Sequence, residues 1–103
     1  MPEPEHLVRI HFPFEDAEDF ERWNEIEGRL DLLLQGSGLG EHDGNEVGEG
    51  EYTIWLYGPD AASLAQFVRN ALSSEKLPKE CYMFLRFGDV EDESAREETV
   101  ALS

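Results

Sequence analysis

The chain has 103 residues and carries 24 acidic against 8 basic side chains, a net charge of −16, with 40% hydrophobic and 11% aromatic residues. That length holds one domain, residues 1–103, with one core, and the apolar content argues against wholesale disorder. No apolar run approaches the roughly 20 residues of a spanning helix, residues 1–6 lack the basic start of a secretory signal, and a single cysteine excludes an internal disulfide or a four-cysteine zinc site.

So acidic a surface repels free nucleic acid and anionic membrane, so the expected partners are proteins and the expected compartment is the cytoplasm. The charge is unevenly placed. Residues 15–34 carry a net −6, residues 41–51 a net −5 and residues 89–103 a net −5, whereas the aromatic stretch 52–88 carries a net +1.

Residues 6–12 alternate, with Val8, Ile10 and Phe12 on one side and Leu7, Arg9 and His11 on the other. This is a first strand, which Pro13 ends. Asp16 is the N-cap of a first helix whose first turn is acidic, where the helix dipole favours negative charge. Phe20, Trp23, Ile26, Leu30, Leu33 and Leu34 recur at helical spacing, and the helix runs to about Gln35 with Gly36 as its stop. Residues 39–45 read as a short irregular strand and residues 47–50 as a turn. Leu39 and Val47 share parity with Glu41 and Asp43, a conflict that a bulge at Gly40 or Gly44, or an edge position, relieves.

Residues 52–57 form the strongest strand, with Tyr52, Ile54 and Leu56 opposite Thr53, Trp55 and Tyr57. Gly58 and Pro59 break it, and Asp60 caps a second helix with the stripe Leu64, Phe67, Val68, Ala71 and Leu72. Residues 81–87 form the next strand, with Met83, Leu85 and Phe87 opposite Tyr82, Phe84 and Arg86. An acidic loop over residues 89–98 leads to Thr99, Val100 and Leu102, read as a short extra C-terminal strand or a frayed tail. The order predicts an α+β fold, ferredoxin-like βαββαβ, with an antiparallel sheet and two helices on one face.

Few motifs suggest chemistry. The run Gly36-Ser37-Gly38-Leu39-Gly40 follows a helix instead of a strand and has Glu41 where a dinucleotide fingerprint needs glycine. It reads as a flexible connection, and Ser37 lacks the context of a nucleophile. Cys81 is a small core or edge thiol; as a nucleophile it would need a cationic neighbour, for which His11 is the one candidate.

The densest polar constellation is residues 41–51. His42, Asp43 and Glu46 on a glycine-rich loop are the donor types of a Ca²⁺, Mg²⁺ or Mn²⁺ site. Read as an EF-hand from Asp43, the loop fails at Val47 and Ile54, and a solvated acidic hairpin is the competing reading. Asp43 and Glu46 as an acid/base pair lack anything to separate their pKa values, so an enzyme is not expected.

The sheet face opposite the helices says more. By parity it carries Arg9, His11, Trp55, Tyr57, Tyr82, Phe84 and Arg86. Aromatics with arginine are the composition of an interface core. Base stacking is disfavoured by the charge and by the absence of RNA-recognition signatures. Burial under a basic protein partner, in a homodimer, or beneath a folded-back tail (residues 89–103) are the readings left open, with small-molecule or nucleic-acid binding behind them.

Residues 40–48, with the pattern Gly-Glu-x-Asp-Gly-Asn-Glu-x-Gly, followed by residues 52–60, resemble a pattern in small uncharacterised acidic bacterial proteins. The resemblance covers about a quarter of the chain. It implies a small ferredoxin-like domain and supplies no activity, cofactor or catalytic residue. Some such proteins resemble immunity proteins that neutralise a toxin. The expected function is therefore a non-enzymatic interaction module, immunity- or inhibitor-like; the alternative is a divalent-metal protein using the hairpin 41–51.

Overall fold

The computed structural model describes residues 5–89 and 91–102. Residues 1–4, with Glu3, lie outside it, as do Val90 and Ser103 of the acidic tail. The elements are β1 (His6–Pro13), α1 (Ala17–Leu34), β2 (Glu41–Gly48), β3 (Glu51–Gly58), α2 (Ala61–Ala71), β4 (Tyr82–Phe87) and β5 (Arg96–Ala101). The sheet order is β2-β3-β1-β4-β5, and every neighbouring pair is antiparallel. This is a ferredoxin-like α+β core extended by a fifth strand.

Alternation along β1, β3 and β4 decides what is buried. Val8, Ile10, Phe12, Tyr52, Ile54, Leu56, Met83 and Leu85 face the helices and form one core with Trp23, Ile26, Leu30 and Leu34 of α1 and Leu64 and Val68 of α2. Trp23 is fully buried, stacks on Phe12 with ring centroids 4.4 Å apart, and donates its indole N–H to the Pro13 carbonyl at 2.7 Å. That satisfied N–H is what lets so large a residue sit at the centre of a small core.

Asp16 and Asp60 cap their helices by accepting from the backbone N–H of Asp19 and Ala62. Phe20 and Leu33, expected in the α1 stripe, are 43% and 50% exposed. Leu33 lies one residue, about 100° of helix turn, from buried Leu34. Phe20 packs edge-on against Phe14 and Tyr52 at the open end of the helix.

β2 starts two residues later than expected and runs three residues further, taking in Val47 and Gly48 that were read as turn. Its pairing with β3 shifts register between His42 and Gly44, which is the bulge that resolves the parity conflict of this strand. The hairpin closes on a two-residue loop, Glu49 and Gly50, both with positive φ (52° and 79°). That is the geometry a twisted hairpin favours. At the other end of the pair the chains touch backbone to backbone: a Cβ on Gly58 would lie 2.2 Å from the Leu39 carbonyl oxygen.

β5 begins three residues before Thr99 and pairs with β4. The tail therefore extends the sheet sideways. It does not fold over the open face, apart from the loop that receives Arg86.

Candidate functional site

The face of the sheet away from the helices is a grid fixed by register. Arg9 pairs with Trp55 on one side and Phe84 on the other, Leu7 with Tyr57 and Arg86, and His11 with Thr53 and Tyr82. All seven residues expected on this face are brought together there. None of the described elements covers the centre of it, yet its members are half-buried or buried by one another.

Arg9 sits at the centre. Its guanidinium carbon is 4.4 Å from the Phe84 ring centroid and 5.3 Å from that of Trp55. Its Nε donates to His11 Nε2 at 2.7 Å. His11 is thus held as the neutral Nδ1–H tautomer, stacked on Tyr82 at 4.3 Å, with Nδ1 facing Glu51 Oε1 at 3.5 Å and Thr53 Oγ1 at 3.4 Å. Burial, then the Arg9 charge, hold the His11 pKa below its usual value, against the opposing pull of Glu51. Burial raises the Tyr57 and Tyr82 phenols, assisted by Asp43 and Glu51 respectively, so both remain protonated hydrogen-bond donors.

Arg86 ends the grid. It is ion-paired to Glu97 at 2.7 Å and donates to the Asp89 and Asp92 carbonyls of the following loop. Acidic groups rim the face: Glu46, Glu49 and Glu51 line a depression of about 310 Å³ together with Arg9, His11 and Trp55, Asp43 lies beside Trp55 and Tyr57, and Glu97 stands at the β5 side.

The donors expected to hold a metal do not converge. The bulge sends His42 to the helix side, where Nε2 lies 2.5 Å from Glu27 Oε2 and Nδ1 lies 3.3 Å from Asp31 Oδ1. Asp43 and Glu46 stay with Trp55 on the open side. Among the described residues no group of three or more His, Cys, Asp or Glu side chains is arranged to hold a metal ion.

Cys81 is fully buried on the core side, with its pKa pushed up to about 11 by burial. It is a core thiol, and its partner-to-be His11 points to the opposite face. Ser37 Oγ accepts from the Leu39 N–H at 3.0 Å within the glycine-rich connection.

One polar cluster escaped sequence reasoning. Glu27 of α1 is only 5% exposed. Its carboxylate accepts from Asn45 Nδ2 at 2.8 Å and from the Tyr52 hydroxyl, besides its contact with His42. Burial and the Glu27 contact raise the Tyr52 pKa far above its usual value. The available signal was spacing: Trp23, Glu27, Leu30 and Leu34 share one stripe, and His42, Asn45 and Tyr52 lie on the strand side facing it.

Comparison with protein-family models, curated proteins and solved structures found no match for the chain. Among the described residues no helix is long and apolar enough to cross a membrane.

Proposed function

We propose that this chain is a non-enzymatic protein-interaction module that docks a basic protein through the open face of its sheet, in the manner of an immunity or inhibitor protein. The observation that carries the reading is the grid itself: three adjacent strands present Trp55, Arg9, Phe84, Tyr57 and Tyr82 as one continuous patch that none of the described elements covers. Contiguous aromatic surface of this kind is uncommon on a monomer without a partner.

The acidic rim and the net charge of −16 favour a basic partner over a second copy, since two copies repel. Opposite charge accelerates encounter, and the buried aromatics set the lifetime of the complex. Among the described residues the bulge sets His42 on the opposite face from Asp43 and Glu46, which weighs against the metal alternative.

Capture from an extract of the source cell, with the parent protein and with a Trp55→Ala/Phe84→Ala variant, tests the proposal. The expected result is a basic protein held by the parent at low salt, weakened at high salt, and lost from the variant. Equal capture by both proteins, or a self-associated dimer by sedimentation with no other partner, would contradict it.

A further inference from the structure

Arg9 differs from every other arginine of the chain. Arg29, Arg86 and Arg96 are paired with Glu75, Glu97 and Glu98, and Arg22 and Arg69 reach the carbonyls of Lys76 and Ala101. Among the described residues Arg9 alone of the six has no oxygen acceptor, neither carboxylate nor carbonyl, and its one hydrogen bond is from Nε to a ring nitrogen of His11.

The two aromatic rings hold the guanidinium in place but accept nothing from its N–H groups in the plane. Of its five N–H donors the four on Nη1 and Nη2 are left, and two of them, one on each nitrogen, form the end-on edge that matches a carboxylate with two parallel bonds. His11 fills the Nε side and leaves that edge as the one available.

We infer that Arg9 is the receptor for a single carboxylate, an Asp or Glu side chain that the basic partner brings to the centre of the open face. The inference rests on the reading of that face as a docking surface. Docking takes water from the centre of the grid, and a desolvated guanidinium with four unmet donors opposes binding unless the partner supplies the acceptor. The partner surface is then basic at its edge, to meet Glu46, Glu51 and Asp43, and acidic at one central point. A uniformly basic surface would place cation against cation at Arg9. One central acid therefore also supplies specificity against other basic proteins.

Two probes test this. The first is a pair of acetylated, amidated peptides, Lys-Lys-Asp-Lys-Lys and Lys-Lys-Asn-Lys-Lys, titrated by NMR while the Arg9 Nε–H and the Trp55 indole N–H are followed. The Asn peptide has the higher positive charge, so attraction to an acidic protein alone favours it. The expected result is that the Asp peptide binds about tenfold more tightly, and that Arg9→Gln abolishes the preference.

The second probe is sodium acetate against sodium chloride at equal ionic strength on the unaltered protein, which needs no variant to fold. Acetate should move the Arg9 Nε–H saturably and leave those of Arg22, Arg29 and Arg69 in place. Equal affinity of the two peptides at the open face would overturn the carboxylate receptor while leaving the docking surface standing. Binding of neither peptide there would count against the docking surface; a selective acetate response at Arg9 would then still uphold the receptor, and the same response to both salts would overturn it.

Discussion

Replacing Glu27 with leucine should destabilise the protein although it removes one negative charge from a chain of net −16. On an ordinary helix face Glu→Leu is close to neutral or stabilising, since leucine is as good a helix former and burial is favourable. Here the carboxylate is the acceptor for Asn45 and the Tyr52 hydroxyl and the contact of His42.

Each bond to a charged acceptor is worth about 1.5–3 kcal/mol, and a buried donor left without one costs about 1–3 kcal/mol. Some compensation remains, because Tyr52 keeps Asn24 at 3.3 Å and His42 keeps Asp31 at 3.3 Å. The net loss should be about 3 kcal/mol, the lower end for breaking a buried charged pair, or a fall in melting temperature of roughly 12–24 °C in a domain of this size.

Urea unfolding followed by the fluorescence of the two tryptophans, buried Trp23 and half-buried Trp55, measures it. Tyr52→Phe should cost about 1.5 kcal/mol in the parent and about 0.5 kcal/mol in the Glu27→Leu protein, where Asn24 is the hydroxyl's remaining acceptor, a coupling of about 1 kcal/mol. A loss under about 1 kcal/mol for Glu27→Leu, or additive effects of the two changes, would refute the role given to this network.

Added salt should raise stability: a folded chain of radius of gyration 13.3 Å holds its carboxylates within a few screening lengths of one another, and the unfolded chain relieves that repulsion by expanding. Thermal melts between about 20 and about 300 mM NaCl should show a rise of roughly 5 °C, and a flat or falling melting temperature would mean the acids are already compensated.

His11 should make the protein acid-sensitive. Its pKa is lowered on folding, so the unfolded chain binds the proton more readily; the stability it contributes is complete above its unfolded value of 6.5 and is lost as pH falls below that. A pH profile of stability between 7 and 5 that His11→Gln leaves unchanged would contradict this. Glu49 holds φ at 52°, a conformation asparagine adopts more readily, so Glu49→Asn should raise the melting temperature by roughly 3–5 °C in a scanning calorimeter, and a decrease would show that the turn does not carry the strain.

What the sequence disclosed follows from which forces were local. Alternation in residues 6–12 and 52–57 assigned both faces of the two central strands correctly, because period-two burial leaves a one-residue slip no place to hide. The same parity placed Arg9, Trp55, Phe84 and their neighbours on one surface before any pairing was known. Hairpin 41–51 was less legible, since its side chains are mostly charged and its register depends on a bulge; the count of donors grouped His42 with Asp43 and Glu46, and the bulge separates them. Glu27 was hidden for a related reason. An acid among seven others in α1 and its cap region reads as solvated surface until the strand carrying Asn45 and His42 is brought against it. Leu33 shows the reverse error, an apolar residue assigned inward that the helix turns outward.

The central claim, that the open sheet face is the docking surface, is tested most directly by hydroxyl-radical footprinting of the chain alone and in complex with the partner it captures. Trp55, Tyr57, Tyr82 and Phe84 should lose reactivity together on binding, while Phe20 and Leu33 on the helix side keep theirs. Protection of Phe20 and Leu33 with the four aromatic residues unchanged would place the docking surface on the helices and contradict the account.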